Sequence, residues 1–189
     1  MYRKRLADTK FDSLEEYATH FFTYVRNLIA PNQDNIYTQN QIRFLVNSFY
    51  DEIIKLANDK LKEKSKELSD ENIVVTMMDV MKSISDSYKQ KDTCLDCKNL
   101  TLESFTDTCD EYVSSKLAQC LSVKNCPVNF KETFIETLYF IVRSTTHVYA
   151  SSTGLVFFGY GDKELMPSYH SYTISELFED KLKIVKNGD

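Results

Sequence analysis

Tryptophan is absent from this chain, proline occurs three times and glycine four times. Average usage would supply about 13 glycines in a chain of this length. All four lie at or beyond Gly154, so residues 1–153 contain none. That absence excludes collagen-like and glycine-rich low-complexity architectures and points to helix, since glycine is the residue that leaves regular structure most readily. Long hydrophobic runs are missing too: no stretch approaches the roughly 18 apolar residues of a membrane span. The basic start, Met1-Tyr-Arg-Lys-Arg5, is followed by no apolar segment, so it does not read as a secretory leader. Surplus positive charge is also lacking. The 23 Lys+Arg stand against 28 Asp+Glu, a net −5, which argues against nucleic acid or an anionic membrane as partner.

What is present suffices for a core. With 189 residues, 42% of them hydrophobic and 13% aromatic, the composition fits one domain over 1–189, helical over 1–150 and β-rich over 151–189. The cysteines are Cys94, Cys97, Cys109, Cys120 and Cys126. An odd number without a leader reads as reduced thiols in a cytoplasmic protein rather than a disulfide framework.

Ser13-Leu-Glu-Glu16 has the spacing of a capping box, and Leu14, Tyr17, Phe21, Val25 and Leu28 follow as an apolar stripe ending before Pro31. Pro31–Tyr37 reads as a loop. A second helix is expected from near Thr38, with Ile42, Leu45, Phe49, Ile53, Leu56 and Leu61 on its buried face. Its charged tail, 58–67, reads as a solvated helix end. Ser69 or Asp70 can cap a third helix carrying Val74, Met77, Met81, Ile84 and Tyr88, the methionines serving as core filler. Residues 89–101 read as a connection. Thr101 opens a fourth helix with Leu102, Phe105, Cys109, Tyr112 or Val113, Leu117, Cys120 and Leu121. A fifth starts near Asn129, with Phe130, Phe134, Leu138, Ile141, Val142 and Thr145.

Beyond Thr153 the pattern changes. Gly154-Leu-Val-Phe-Phe-Gly159 is a short apolar run bounded by glycines, which reads as a buried strand. Ser168–Ile174 alternates like a partnered strand, and Lys181–Val185 offers a third. The first two, joined by a turn-rich connection, pair most simply as an antiparallel hairpin. The expected class is therefore α+β, mostly α: about five helices, then a hairpin or three short strands. So small a sheet leaves edges, and an edge at Val156, Phe157 and Phe158 invites another strand.

Candidate chemistry is sparse. Cys94-Leu-Asp-Cys97 has the two-residue spacing with which thiolates chelate zinc, but no second such pair exists. Cys109 and Cys120, three helical turns apart, read as small buried hydrophobes, and Cys94 and Cys97 as loop thiols. Structural zinc stays the alternative. His20, His147 and His170 are too scattered to form a helical metal pair, and His147 reads as a helix-end residue. Gly159-Tyr-Gly161 lacks a phosphate-loop frame; its glycines read as permitting positive φ. No cofactor is expected.

One late stretch has a family likeness. Gly159-Tyr160-Gly161-Asp162, then Pro167-Ser168 and a strand bearing Tyr169, resembles the hairpin region of proteasome-type subunits. It is closer to a set of uncharacterised bacterial proteasome-like proteins, which also share a helix start like Phe11-Asp-Ser-Leu-Glu-Glu-Tyr17. The resemblance implies a partial αββα unit of the N-terminal-nucleophile type. The chain departs from proteasome β subunits in placing Gly161 before Asp162 and Met166 before Pro167. It begins Met1-Tyr2, where such enzymes use an N-terminal Thr, Ser or Cys. No catalytic residue carries over. The expectation is a noncatalytic protein whose partner is a protein: a second copy or a polypeptide supplying the missing strands. A free-standing helical interaction module is the competing reading.

Overall fold

The computed structural model describes residues 9–29, 35–64, 67–121, 126–146, 152–178 and 181–187. The basic start, residues 31–34 of the expected loop, and His147 lie outside these. The described residues form five α-helices and one three-stranded antiparallel sheet, an α+β fold that is 63% helix and 15% strand. The helices are α1 (Leu14–Ile29), α2 (Asn35–Glu63), α3 (Asp70–Lys89), α4 (Leu102–Cys120) and α5 (Phe130–Arg143); a 3₁₀ turn spans Leu95–Cys97. The strands are β1 (Ser152–Gly159), β2 (Ser168–Phe178) and β3 (Lys181–Lys186), in the order β1-β2-β3. No described helix is long and apolar enough to cross a membrane. The chain divides into two compact units: residues 1–38 with 151–189, and residues 39–150.

In the larger unit α5 is the centre. Phe130, Phe134, Ile135, Leu138, Tyr139, Ile141 and Val142 are all buried, which leaves one polar strip along Lys131, Glu132 and Glu136. It packs against α3 and α4. The ring of Phe134 meets Phe49 of α2 at 4.9 Å between centroids. Thr137, fully buried, donates to the Thr133 carbonyl at 2.7 Å, which lets a hydroxyl sit in the core without cost to hydrogen bonding. Met77, Met78 and Met81 are buried, as core filler would be. The expected caps are in place: Ser69 Oγ accepts from the Asn72 amide and Thr101 Oγ1 from the Ser104 amide. Helix α2 begins at Asn35 rather than near Thr38, and the segment taken as plain connection contains the 3₁₀ turn.

One cysteine assignment is reversed. Cys94 and Cys97 lie in the connection, as expected of loop thiols, and are buried there; the Cys94 amide donates to the Arg143 carbonyl at 2.7 Å, which ties their turn to the end of α5. Cys120 is exposed, because the stripe it continues runs out at the last residue of α4.

The smaller unit sets α1 on one face of the sheet. Ala18, Phe22 and Tyr172 form its buried centre, with Phe21, Leu155, Phe157, Ile174 and Ile184 packed around them. The buried row of α1 is Leu14, Ala18 and Phe22, while Leu28, expected on that row, is half exposed. Small Ala18 lets the helix approach the strands closely, and the edge-on rings of Phe22, Phe157 and Tyr172, 4.9 to 5.7 Å apart, fill the space beside it.

Candidate functional site

The β1–β2 connection is where the residues singled out in sequence come together. At its start Gly159 has φ +147°, which a side chain would strain. Gly161 is buried against the Asp12–Ser13 backbone, where an added Cβ would overlap the Asp12 carbonyl and the Ser13 amide nitrogen. Its requirement is close approach, not the positive φ expected for it. The Asp162 amide donates to the Phe11 carbonyl at 2.8 Å and the Lys163 amide to the Asp12 carbonyl at 3.1 Å. Glu164 then closes the turn: its Oε2 accepts from the Gly161 amide at 2.7 Å and from the Leu14 amide, at the open end of α1, at 3.1 Å. Helix N-termini present unsatisfied donors and partial positive charge, so a carboxylate there is doubly favoured.

The capping box also takes a modified form. Ser13 Oγ accepts from the Glu16 amide, but Glu16 reaches back to the Asp12 amide at 3.0 Å instead of that of Ser13. Lys163 Nζ lies 2.6 Å from Asp12 Oδ2, and Lys10 Nζ 3.4 Å from Asp162 Oδ2. The hydrogen bond to Asp12 raises the Lys163 ammonium above its ordinary pKa. Thus Phe11–Tyr17 and Gly159–Ser168, the two stretches that carry the family resemblance, lie side by side. Sequence reasoning missed Glu164, which no periodicity marks. Replacing it with alanine is expected to cost about 1–2 kcal/mol, as loss of a cap leaves donors unpaired. Thermal unfolding measures the cost, and faster hydrogen exchange at the Leu14 and Gly161 amides locates it.

Beyond the connection, Pro167 is exposed and Ser168 opens β2 opposite Gly159. Strand β1 was expected to be buried and is not. Its side chains alternate: Leu155 and Phe157 turn toward α1, whereas Val156 is 68% exposed and Phe158 77%. The reason is that α1 covers one face of the sheet, while the other face is exposed at this end of the hairpin; farther along that other face Ser175 and Lys183 are buried. Phe157 therefore serves the unit's own core, while Val156 and Phe158 point outward. Tyr160, Leu165, Met166 and Tyr169 are also exposed at this end of the hairpin. Phe158 stands directly opposite Tyr169 across the β1–β2 ladder. Single exposed apolar residues are ordinary, but a cluster of them marks a contact surface.

The larger unit offers two clefts of about 320 Å³, one mainly polar and one mainly apolar in its lining. In one, Arg43 lies over the Tyr112 ring at 5.3 Å, and Lys116 lies over Tyr50 at 4.9 Å and 3.9 Å from Asp51. Its cations are thus already engaged. Burial, with Cys120 and Asp51 nearby, pushes Tyr50 up to about 12, so its phenol stays protonated and is no base. In the other cleft, Lys131 pairs with Asp110 at 2.6 Å. Burial raises the Cys126 thiol, which disfavours its thiolate. Among the described residues no group of three or more His, Cys, Asp and Glu is placed to hold a metal, and Cys94 and Cys97 gain no further ligand there. His20 stacks near Phe11 at 5.1 Å, and His170 faces Phe157 across the ladder.

Compared with protein families, curated proteins and solved structures, the chain gives no match.

Proposed function

We propose that this chain acts by assembly: a noncatalytic helical and β-hairpin portion of a proteasome-like, N-terminal-nucleophile-type architecture, its sheet completed by itself or by another polypeptide. The observation that carries the reading is the outer edge of β1, which pairs with no strand among the described residues, with Val156 and Phe158 exposed beside it on the face away from α1. A strand edge without a described partner, with apolar side chains exposed beside it, is the kind of surface to which another chain adds a strand. The adjacency of Phe11–Tyr17 and Gly159–Ser168 also supports it, since the resembling stretches form one local structure.

The test is mass in solution. Light scattering at micromolar concentration is expected to report a dimer or larger species, and Phe158→Asp to shift it toward monomer by at least about tenfold in the association constant. A charge placed in an apolar contact is costly, whereas on a free surface it is not. A wild-type chain that stays monomeric throughout would overturn the proposal in favour of a free-standing helical module.

A further inference from the structure

The outer edge of β1, which pairs with no strand among the described residues, has a definable set of outward hydrogen-bonding groups. The Asn187 amide donates to the Ser171 carbonyl at 2.9 Å. In an antiparallel ladder the N–H and C=O of one residue address the same neighbouring strand. Ser171 therefore addresses β3, as do Tyr169 and Thr173. The alternate residues His170, Tyr172 and Ile174 address β1, where the register places Phe157, Leu155 and Thr153. It follows that Gly154, Val156 and Phe158 aim their backbone groups away from the sheet.

The two edges of the sheet differ. Strand β3 carries Lys181, the buried Lys183 and Lys186, which pairs with Glu15, and follows a register irregularity at Ser175/Leu177; charge and irregularity on a strand discourage strand addition. Strand β1, Ser-Thr-Gly-Leu-Val-Phe-Phe-Gly, carries no charge. It also contains a glycine that no contact among the described residues requires. A Cβ on Gly154 would meet nothing within 4 Å, and its backbone is not in the left-handed region.

We infer that the partner of this edge is a second copy of the same chain, with the two β1 strands antiparallel about a twofold axis at Val156. This rests on the assembly reading above and specifies its contact. In that register Gly154 lies opposite Phe158 of the second copy, Phe158 opposite Gly154, and Val156 opposite Val156. The open groups of all three residues then pair, two hydrogen bonds to each facing pair. On the face away from α1 the largest side chain of the row covers the position that has none, at both ends of the contact. An aromatic ring across an edge glycine is a stabilising cross-strand arrangement. Shifting the register by two residues either way loses this match: Phe158 then meets Ser152 or Val156. A strand whose outer row runs Gly, Val, Phe is thus complementary to itself reversed. The product is one continuous sheet of twice the width.

Two variants of the full chain test it. Val156→Cys, in a Cys120→Ser/Cys126→Ser background, places thiols on facing residues about 5.5 Å apart at Cα, within disulfide reach. Mild oxidation is expected to yield a disulfide-linked dimer, and Thr153→Cys in the same background to yield none. Val156→Pro removes an N–H that the chain's own sheet does not use, a position where proline is tolerated. It is expected to weaken association at least about 100-fold while the variant unfolds cooperatively as a monomer. If wild type is a dimer but Val156→Cys does not cross-link, the twofold pairing fails and assembly by another surface stands. If Val156→Pro leaves association unchanged, the pairing likewise fails. If wild type is monomeric at all concentrations, the pairing and the assembly reading both fail.

Discussion

Gly161→Ala is expected to destabilise the helix-and-sheet unit by about 3 kcal/mol, at the upper end of what overpacking costs. The methyl group would run into the Asp12 carbonyl and the Ser13 amide, both backbone atoms, so no side-chain rotation can make room. Relief requires the turn to lift, and lifting it stretches the bonds from Asp162 to Phe11 and from Lys163 to Asp12. It also pulls the Glu164 carboxylate away from the Leu14 amide. In a chain of this size the loss corresponds to a fall of roughly 6–12 °C in Tm. Gly154→Ala is the matched control: its Cβ meets open space, so a monomer should change by less than about 0.5 kcal/mol. A Gly161→Ala protein with unchanged Tm would mean that the connection does not rest on the start of α1.

A larger loss is expected in the other unit. Phe134→Ala should cost about 4 kcal/mol, and Phe49→Ala a similar amount, since each ring is completely buried and its removal leaves a cavity among well-packed neighbours. The two rings touch, 4.9 Å apart and inclined at 60°. Their contact contributes about 1 kcal/mol beyond burial. The double variant should therefore lose less than the sum of the single ones by about that amount, because residues that share a contact are not independent. Urea unfolding of the four proteins measures the cycle. Strict additivity would show that α2 and α5 do not meet through these side chains.

The helices were legible because their information is local. Apolar side chains three and four residues apart must face one way on a helix, and nothing in residues 1–153 offers the chain a glycine at which to turn. Ser69 and Thr101 announce their helices by the same logic, since a cap bonds within three residues of itself. The strands were legible as well: a short apolar run between glycines, then an alternating segment, defines a hairpin before any contact is known. Cys94 and Cys97 lie in the loop the sequence marks, but their burial was not legible there, since the backbone bond that ties their turn down comes from the end of α5, nearly fifty residues away. Cys120 was misplaced because periodicity says which way a side chain points and not whether anything packs there.

The candidate site divides along the same line. From sequence alone came its location, the hairpin at 154–174, and the idea that its edge is unfinished. Only the tertiary structure decided which side of β1 is open. The alternation of Leu155, Val156, Phe157 and Phe158 is invisible in a run where every residue is apolar, and it becomes definite once α1 covers one face. The same holds for Gly161 and Glu164, which act on Asp12, Ser13 and Leu14 about 150 residues earlier in the chain. Local rules fix what each segment is, because helical and strand periods repeat within a few residues. Which faces meet is a choice among whole segments, settled by the apolar area and the backbone donors that each packing satisfies.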